Sequence, residues 1–206
     1  MTQNLIFDMG GVLIVWDPSR IVERLGIEGE DARLLLREVF REVEWPSLDR
    51  GSMSEEQAIS AICARLPDRP HAAVERCVYW WRDPLWPIEG MEELLRELKG
   101  LGYPIYLLSN ATSALHEYFP RIPGSDCFVG GLVSADHKLL KPQHEIFELL
   151  FETFSLRPED CLFLDDAPYN IEGAARVGLD GIVFQGDVAE LRRRLRAKGI
   201  PVKSED

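Results

Sequence analysis

The sequence predicts an α/β protein: a parallel sheet core with an inserted helical cap domain near its start. Three observations predict this. From Gly90 onward, short apolar runs alternate with amphipathic helical patterns, the signature of a parallel sheet covered on both faces. Residues 16–86 carry helical patterns and no strand pattern. The apolar runs also end in polar residues: Asp8, Ser109-Asn110 and Asp165-Asp166. In a parallel sheet all carboxyl ends lie along one edge, where open α/β sheets take their ligands.

The first strand is Leu5-Ile6-Phe7, followed at once by Asp8, Met9 and the pair Gly10-Gly11. An apolar run bounded by glycines reads as a buried strand, and the glycines let backbone approach a ligand closely. Taken alone, the stretch fits two readings equally. Asp8 is a carboxylate nucleophile or metal ligand at the mouth of a sheet, or an aspartate that ends a strand before a tight turn.

Helices then follow. Residues 31–43 place Leu35, Leu36, Val39, Phe40 and Val43 on one face at i, i+3, i+4 spacing, and Trp45-Pro46 is expected to interrupt them. Ser54-Glu55-Glu56-Gln57 has the form of a capping box; it opens a helix through Ile59, Ile62, Cys63 and Leu66. A further helix runs through Val74, Cys77, Val78 and Trp81 and stops at Asp83-Pro84. The domains expected are a core of residues 1–15 and 87–206 and a helical cap of residues 16–86. The alternative is that these helices simply pack on the main core.

Beyond Gly90 the order is regular. A helix through Met91, Leu94, Leu95 and Leu98 is closed at Gly100, and a strand over 104–108 runs into Ser109-Asn110. A helix over 113–119 follows, then a glycine-broken strand over 128–133 and a polar loop to Lys141-Pro142. Ile146, Phe147, Leu149, Leu150 and Phe154 mark the next helix. A strand over 161–164 ends in Asp165-Asp166, a helix over 171–177 stops at Gly178, and strand 181–184 and helix 188–198 complete the chain.

The 206 residues carry 46% apolar and 28% charged side chains, enough for one large core with a smaller insertion. The net charge of −12 argues against binding nucleic acid or an anionic membrane, which calls for a basic patch. The one basic run, Arg192-Arg193-Arg194 with Arg196 and Lys198, is expected to be a solvated helix face. Cys63, Cys77, Cys127 and Cys161 show no metal-ligand spacing; buried thiols in a reducing compartment are expected. No apolar run reaches the roughly 18 residues of a membrane span, and the chain opens on a strand rather than a signal peptide. A cytoplasmic protein, monomer or homodimer, is therefore expected.

Asp8, Ser109, Lys141, Asp165 and Asp166 should converge at the sheet edge. Three carboxylates in one cleft repel unless a cation joins them. Hard oxygen donors favour Mg2+, which keeps waters and takes substrate phosphate. Lys141 offsets charge and holds an anionic oxygen, and the Ser109 hydroxyl can donate to the same anion.

These residues carry a recognisable pattern. FDMGGVL, LLSNAT, KPQHEIF and LFLDDAPYNIEGA, in that order and each at a strand end, resemble the four motifs of the haloacid dehalogenase-like hydrolases, most nearly the branch that includes α-glucose-1-phosphate phosphatase. The resemblance implies a Rossmann-like core and a mobile cap. It also implies a Mg2+-dependent phosphatase acting on a small phosphorylated metabolite, such as a sugar phosphate. Asp8 would be the nucleophile that forms an aspartyl-phosphate. Asp8, Asp166 and the Gly10 carbonyl would hold the metal, with Asp165 ligating it or orienting a metal-bound water. Ser109, Lys141, Asn110 and the main chain at Met9 would hold the phosphoryl group, with Asn170 bracing the fourth loop or capping a helix. Catalytic roles fall to Asp8, Lys141 and Ser109.

One position departs from the family. Most of its phosphatases have a second aspartate two residues after the nucleophile, as general acid and base; here Gly10 stands there. Such help is worth ~10²–10⁴ in rate. Asp17 and Glu44 are the candidate substitutes. The competing functions are a 2-haloacid dehalogenase, which gains nothing from Asp165-Asp166, and a catalytically impaired binding protein. His71, His116, His137 and His144 lack ligand spacing and are read as surface or packing residues. Trp45, Trp80, Trp81 and Trp86 are read as packing residues, with lining of the cap–core cleft as the alternative.

Overall fold

A computed structural model describes residues 2–204 apart from Arg69, Trp80 and Pro84. Its described strands, β1 (Asn4–Phe7), β2 (Ile105–Ser109), β3 (Phe128–Val133), β4 (Cys161–Asp165) and β5 (Asp180–Val183), form one sheet in the order β3-β2-β1-β4-β5. Every pairing is parallel; Phe7 lies opposite Leu107 on one side and Leu164 on the other. The chain builds outward from β1 through β2 and β3, then crosses to β4. Beside β1 the strand order therefore reverses, and a crevice opens at the carboxyl ends of β1 and β4.

The central strands are apolar on both faces because both faces are covered. Side chains alternate along a strand, so Leu5 and Phe7 join one core and Ile6 the other. The first core receives Leu94, Leu95 and Leu98 of α6 (Met91–Gly100) and Leu191 and Leu195 of α11 (Val188–Ala197). The second receives Ile146, Phe147 and Leu150 of α9 (His144–Phe154) and Ala174 of α10 (Pro168–Arg176). Two short helices, α7 (Leu115–Tyr118) and α8 (Ser134–His137), follow β2 and β3.

The inserted helices are α1 (Pro18–Arg24), α2 (Gly29–Glu38), α3 (Glu44–Asp49), α4 (Glu55–Arg65) and α5 (His71–Tyr79). They bury Val22, Leu35, Val39, Ala58, Ile62, Val74 and Cys77 among themselves, apart from the two sheet cores. The capping box is formed: Ser54 Oγ accepts from the Gln57 amide, and Gln57 Oε1 accepts from the Ser54 amide at 2.9 Å.

Three sequence expectations are corrected. The helix expected over 31–43 ends at Glu38, and Trp45-Pro46 does not break the helical insertion. Pro46 sits in the first turn of α3, where its missing N–H would have no intrahelical acceptor. Nor is the basic run a solvated face throughout. Arg192 is buried against Glu97 of α6, and Arg194 donates to the Val183 carbonyl at 2.7 Å; both tie α11 to the core. The four cysteines are free thiols, three of them buried. No helix of the described residues is long and apolar enough to cross a membrane.

Candidate active site

At the crevice the chain turns sharply after β1. Met9 N–H donates to Asp8 Oδ1 at 2.7 Å, and the Met9 carbonyl accepts from Leu13 at 2.7 Å. This fixes the Asp8 carboxylate just past the strand. Gly11 adopts φ +72°, and a Cβ there would lie 2.3 Å from Asp166 Oδ2. Glycine is needed at this position for backbone conformation and for room beside Asp166.

Lys141 arrives from the loop before α9 and is completely buried. Its Nζ lies 2.8 Å from Asp8 Oδ1 and 2.7 Å from Asp165 Oδ2, and it donates to the Leu108 carbonyl at 2.8 Å. Its three N–H bonds are thereby used. Asn110 holds the lysine's main chain: Oδ1 accepts from Lys141 N at 2.8 Å, and Nδ2 donates to Lys141 O at 3.1 Å. The Asn110 side chain is therefore committed to Lys141 rather than free for an anion.

Asp165, fully buried, accepts from the Ala167 amide at 2.8 Å and from Asn170 Nδ2 at 2.9 and 3.0 Å. Asn170 lies inside α10 and braces the fourth loop. Asp166 is open to solvent. One carboxylate oxygen from each of Asp8, Asp165 and Asp166 lies within 4.8 Å of the other two, and the Gly10 backbone lines the same cavity. Such a set of hard oxygen donors fits a divalent cation of the magnesium type. Ser109 Oγ is buried with no hydrogen-bond partner among the described residues. A buried orphan hydroxyl is costly, and at the end of β2 it has the chemistry to donate to a ligand oxygen.

The electrostatics follow from burial of more negative than positive charge. Burial pushes Asp8 up from 3.8 to about 7; Lys141 opposes the rise and Asp165 adds to it. Asp166, though exposed at the mouth, is raised as well, by partial loss of hydration in the crevice and by the Asp165 charge. Burial would lower Lys141, but the two carboxylates outweigh it, and its affinity for the proton is raised.

The residues expected from sequence thus come together: Asp8, Met9, Gly10, Asn110, Lys141 and Asp166 line one cavity of about 230 Å³, with Ser109 and Asp165 buried behind it. The two expected substitutes for the missing acid do not. Asp17 caps α1 through the Ser19 amide at 2.9 Å. Glu44 is buried against Arg65, at 2.5 Å, which holds its carboxyl below the usual range. Asp49, at the end of α3, lines the cavity instead. Burial holds its carboxyl well above the ordinary range; the Asp8 charge adds to this and Lys141 opposes it. With Pro46 inside the helix, Trp45 and Asp49 are i, i+4 neighbours on one face, the sequence signal that points to it.

The wall facing the core site is aromatic. Trp16 packs 4.9 Å from Trp81 and 5.2 Å from Trp45 between ring centroids, and Trp81 lies 5.6 Å from Tyr118; all four line the cavity. Trp86 does not, lying under the Arg24 guanidinium, and Trp80 is outside the described residues. No histidine lines the cavity; His116 pairs with Asp136 at 2.6 Å.

Comparison with known proteins shows the family. A sesquiterpene phosphatase of Aspergillus oryzae is 29% identical over 194 residues, covering 91% of this chain and 94% of the relative. A D-ribitol-5-phosphate phosphatase of Bacteroides thetaiotaomicron is 25% identical over 198 residues, covering 87% and 90%. A HAD-family enzyme of the same bacterium, crystallised with magnesium and inorganic phosphate, superposes with a TM-score of 0.66 at 22% identity, covering 93% of this chain and 99% of that one. The model of the haloacid dehalogenase-like hydrolases matches residues 2–178. With that match spanning most of its length and a parallel sheet that presents Asp8, Lys141 and Asp165 at its switch point, the chain belongs to the haloacid dehalogenase-like hydrolase family.

Proposed function

We propose that this hydrolase is a Mg2+-dependent phosphatase that cleaves a small phosphorylated metabolite through an aspartyl-phosphate on Asp8. One observation carries the reading: three carboxylates within ligating distance of one another, beside a buried ammonium that touches Asp8. A metal-free dehalogenase has no use for Asp166 in that position.

In this mechanism Asp8 attacks phosphorus and water later releases the phosphate. Lys141 holds Asp8 in line and offsets charge on the phosphoryl oxygens. Ser109 donates its free hydroxyl to one of those oxygens, and main-chain amides near Met9 and Asn110 hold others. Asp8, Asp166, Asp165 and the Gly10 carbonyl would hold the cation, which supplies charge neutralisation when bound. Asp165 has a second task, fixing Lys141 and Asn170.

Residues 16–86 act as a cap whose tryptophans cover the organic part of the substrate. A sugar ring or another group with an apolar face suits such a wall. A cytoplasmic location, with the thiols reduced, belongs to the same proposal.

The test is a panel of phosphate esters with purified protein, with and without EDTA. Release of phosphate that needs Mg2+ and disappears in Asp8→Asn supports the reading. Silence on every ester, or activity that survives Asp8→Asn, defeats it.

A further inference from the structure

We propose that Asp49, carried by the helical cap, is the acid that protonates the leaving group and the base that activates the hydrolytic water. The inference rests on the phosphatase reading of the site and supplies what its β1 loop lacks. A departing alkoxide needs a proton, and Gly10 has no side chain to give one.

Four carboxylates line the cavity: Asp8, Asp49, Glu55 and Asp166. Asp8 is engaged by Lys141, and Asp166 belongs to the cation cluster. Glu55 is paired with Arg82 at 3.5 Å. Asp49 alone has a carboxyl group with no hydrogen-bond or ion-pair partner among the described residues. The charged groups acting on it are Asp8 and Lys141, both at the reacting centre.

Its position is fixed from the core side. The Ser134 hydroxyl donates to the Asp49 carbonyl across 85 residues of sequence. Two residues further, Gly51 sits at φ +69°, and a Cβ there would meet the Ala135 carbonyl at 2.4 Å. Only glycine lets the end of α3 press this closely onto α8. The cap thereby delivers Asp49 to a set station over Asp8, as catalysis by a positioned acid requires. The Tyr118 hydroxyl, in the same wall, is buried without a partner among the described residues and can donate to the ester oxygen.

Proton bookkeeping closes over the two steps. As Asp8 Oδ bonds to phosphorus and the P–O ester bond breaks, the Asp49 carboxyl gives its proton to the departing oxygen, forming the alcohol. The Asp49 carboxylate then takes a proton from water. The water oxygen bonds to phosphorus, the bond to Asp8 breaks, and the free carboxylate of Asp8 and phosphate result.

The experiment compares wild type with Asp49→Asn on p-nitrophenyl phosphate, whose leaving group departs as a stable anion, and on n-butyl phosphate, whose leaving group does not. Turnover of the butyl ester should fall ~10²–10⁴-fold. The aryl ester should still phosphorylate the enzyme, giving a burst of about one p-nitrophenol per site and then slow turnover. Restoring a carboxylate on the β1 loop of the variant, Gly10→Asp, should recover butyl-ester turnover. A Cβ there meets nothing nearer than Trp16 Cβ at 3.7 Å, so the loop accepts the side chain.

Equal losses on both esters with no burst, or no loss on either, overturn the assignment. If Asp49→Asn melts early, Asp49→Ser is read the same way. A wild type inactive on both esters in Mg2+ removes the phosphatase reading itself, an outcome distinct from a failure of Asp49 alone.

Discussion

Replacing Lys141 with methionine tests the electrostatic construction of the site directly. The ammonium is fully buried and bonds Asp8 at 2.8 Å, Asp165 at 2.7 Å and the Leu108 carbonyl at 2.8 Å. Methionine fills nearly the same volume, so the change is chiefly one of charge. It leaves two carboxylates facing each other out of water and one carbonyl unpaired. Breaking a buried pair in this way costs about 3–5 kcal/mol.

The loss should depend on pH, and the sign follows from Asp8. Its folded value, about 7, lies above the ordinary 3.8, so between those limits the folded state binds more protons than the unfolded one. Stability of the metal-free wild type should therefore fall as pH rises through this window, by about 4 kcal/mol at most for this group. Without Lys141 the value rises further. At pH 5 Asp8 is protonated with or without the lysine, and only the Asp165 partnership is lost; at pH 8 both are lost.

The assay is urea unfolding in EDTA at the two pH values. With a slope of about 2 kcal/mol/M, the midpoint of Lys141→Met should drop by about 2 M at pH 8, and by visibly less at pH 5. A variant as stable as wild type at pH 8, or a loss identical at the two pH values, would refute the argument.

Two further substitutions separate the carboxylate cluster from the scaffold. Gly11→Ala forces a Cβ into a left-handed conformation, at a cost of about 1–2 kcal/mol, and drives Asp166 aside, since that Cβ would lie 2.3 Å from its Oδ2. Titration calorimetry should show Mg2+ affinity reduced at least tenfold, and an unchanged affinity would separate Asp166 from the metal. Arg192→Met breaks the buried contact with Glu97 between α6 and α11. Thermal unfolding should show a loss of about 2–4 kcal/mol with kcat/KM unchanged, since neither residue lines the cavity; a matching loss of activity would mean that the α6–α11 contact reports to the site.

The sequence by itself determined the α/β alternation, the helical insertion and the strand-end loci of Asp8, Ser109, Lys141, Asp165 and Asp166. These were legible because each depends on neighbours in the chain. An apolar run defines a strand, the polar residue after it falls at the carboxyl edge, and parallel pairing puts those edges together. The tertiary structure alone decided which carboxylates do what. Asp165 is buried and bonded to Lys141, Asn170 and Ala167, while Asp166 stays open to solvent, although the two are adjacent in sequence. Asn110 turned out to clasp the lysine, and Arg192 to pair inward. Asp49, not Asp17 or Glu44, lines the cavity with Asp8 because Ser134 and Ala135 receive the end of α3. Contacts between segments 85 residues apart leave no local pattern. They arise from close packing of the inserted helices against the sheet layer, where room for a side chain, rather than its own propensity, sets what it touches.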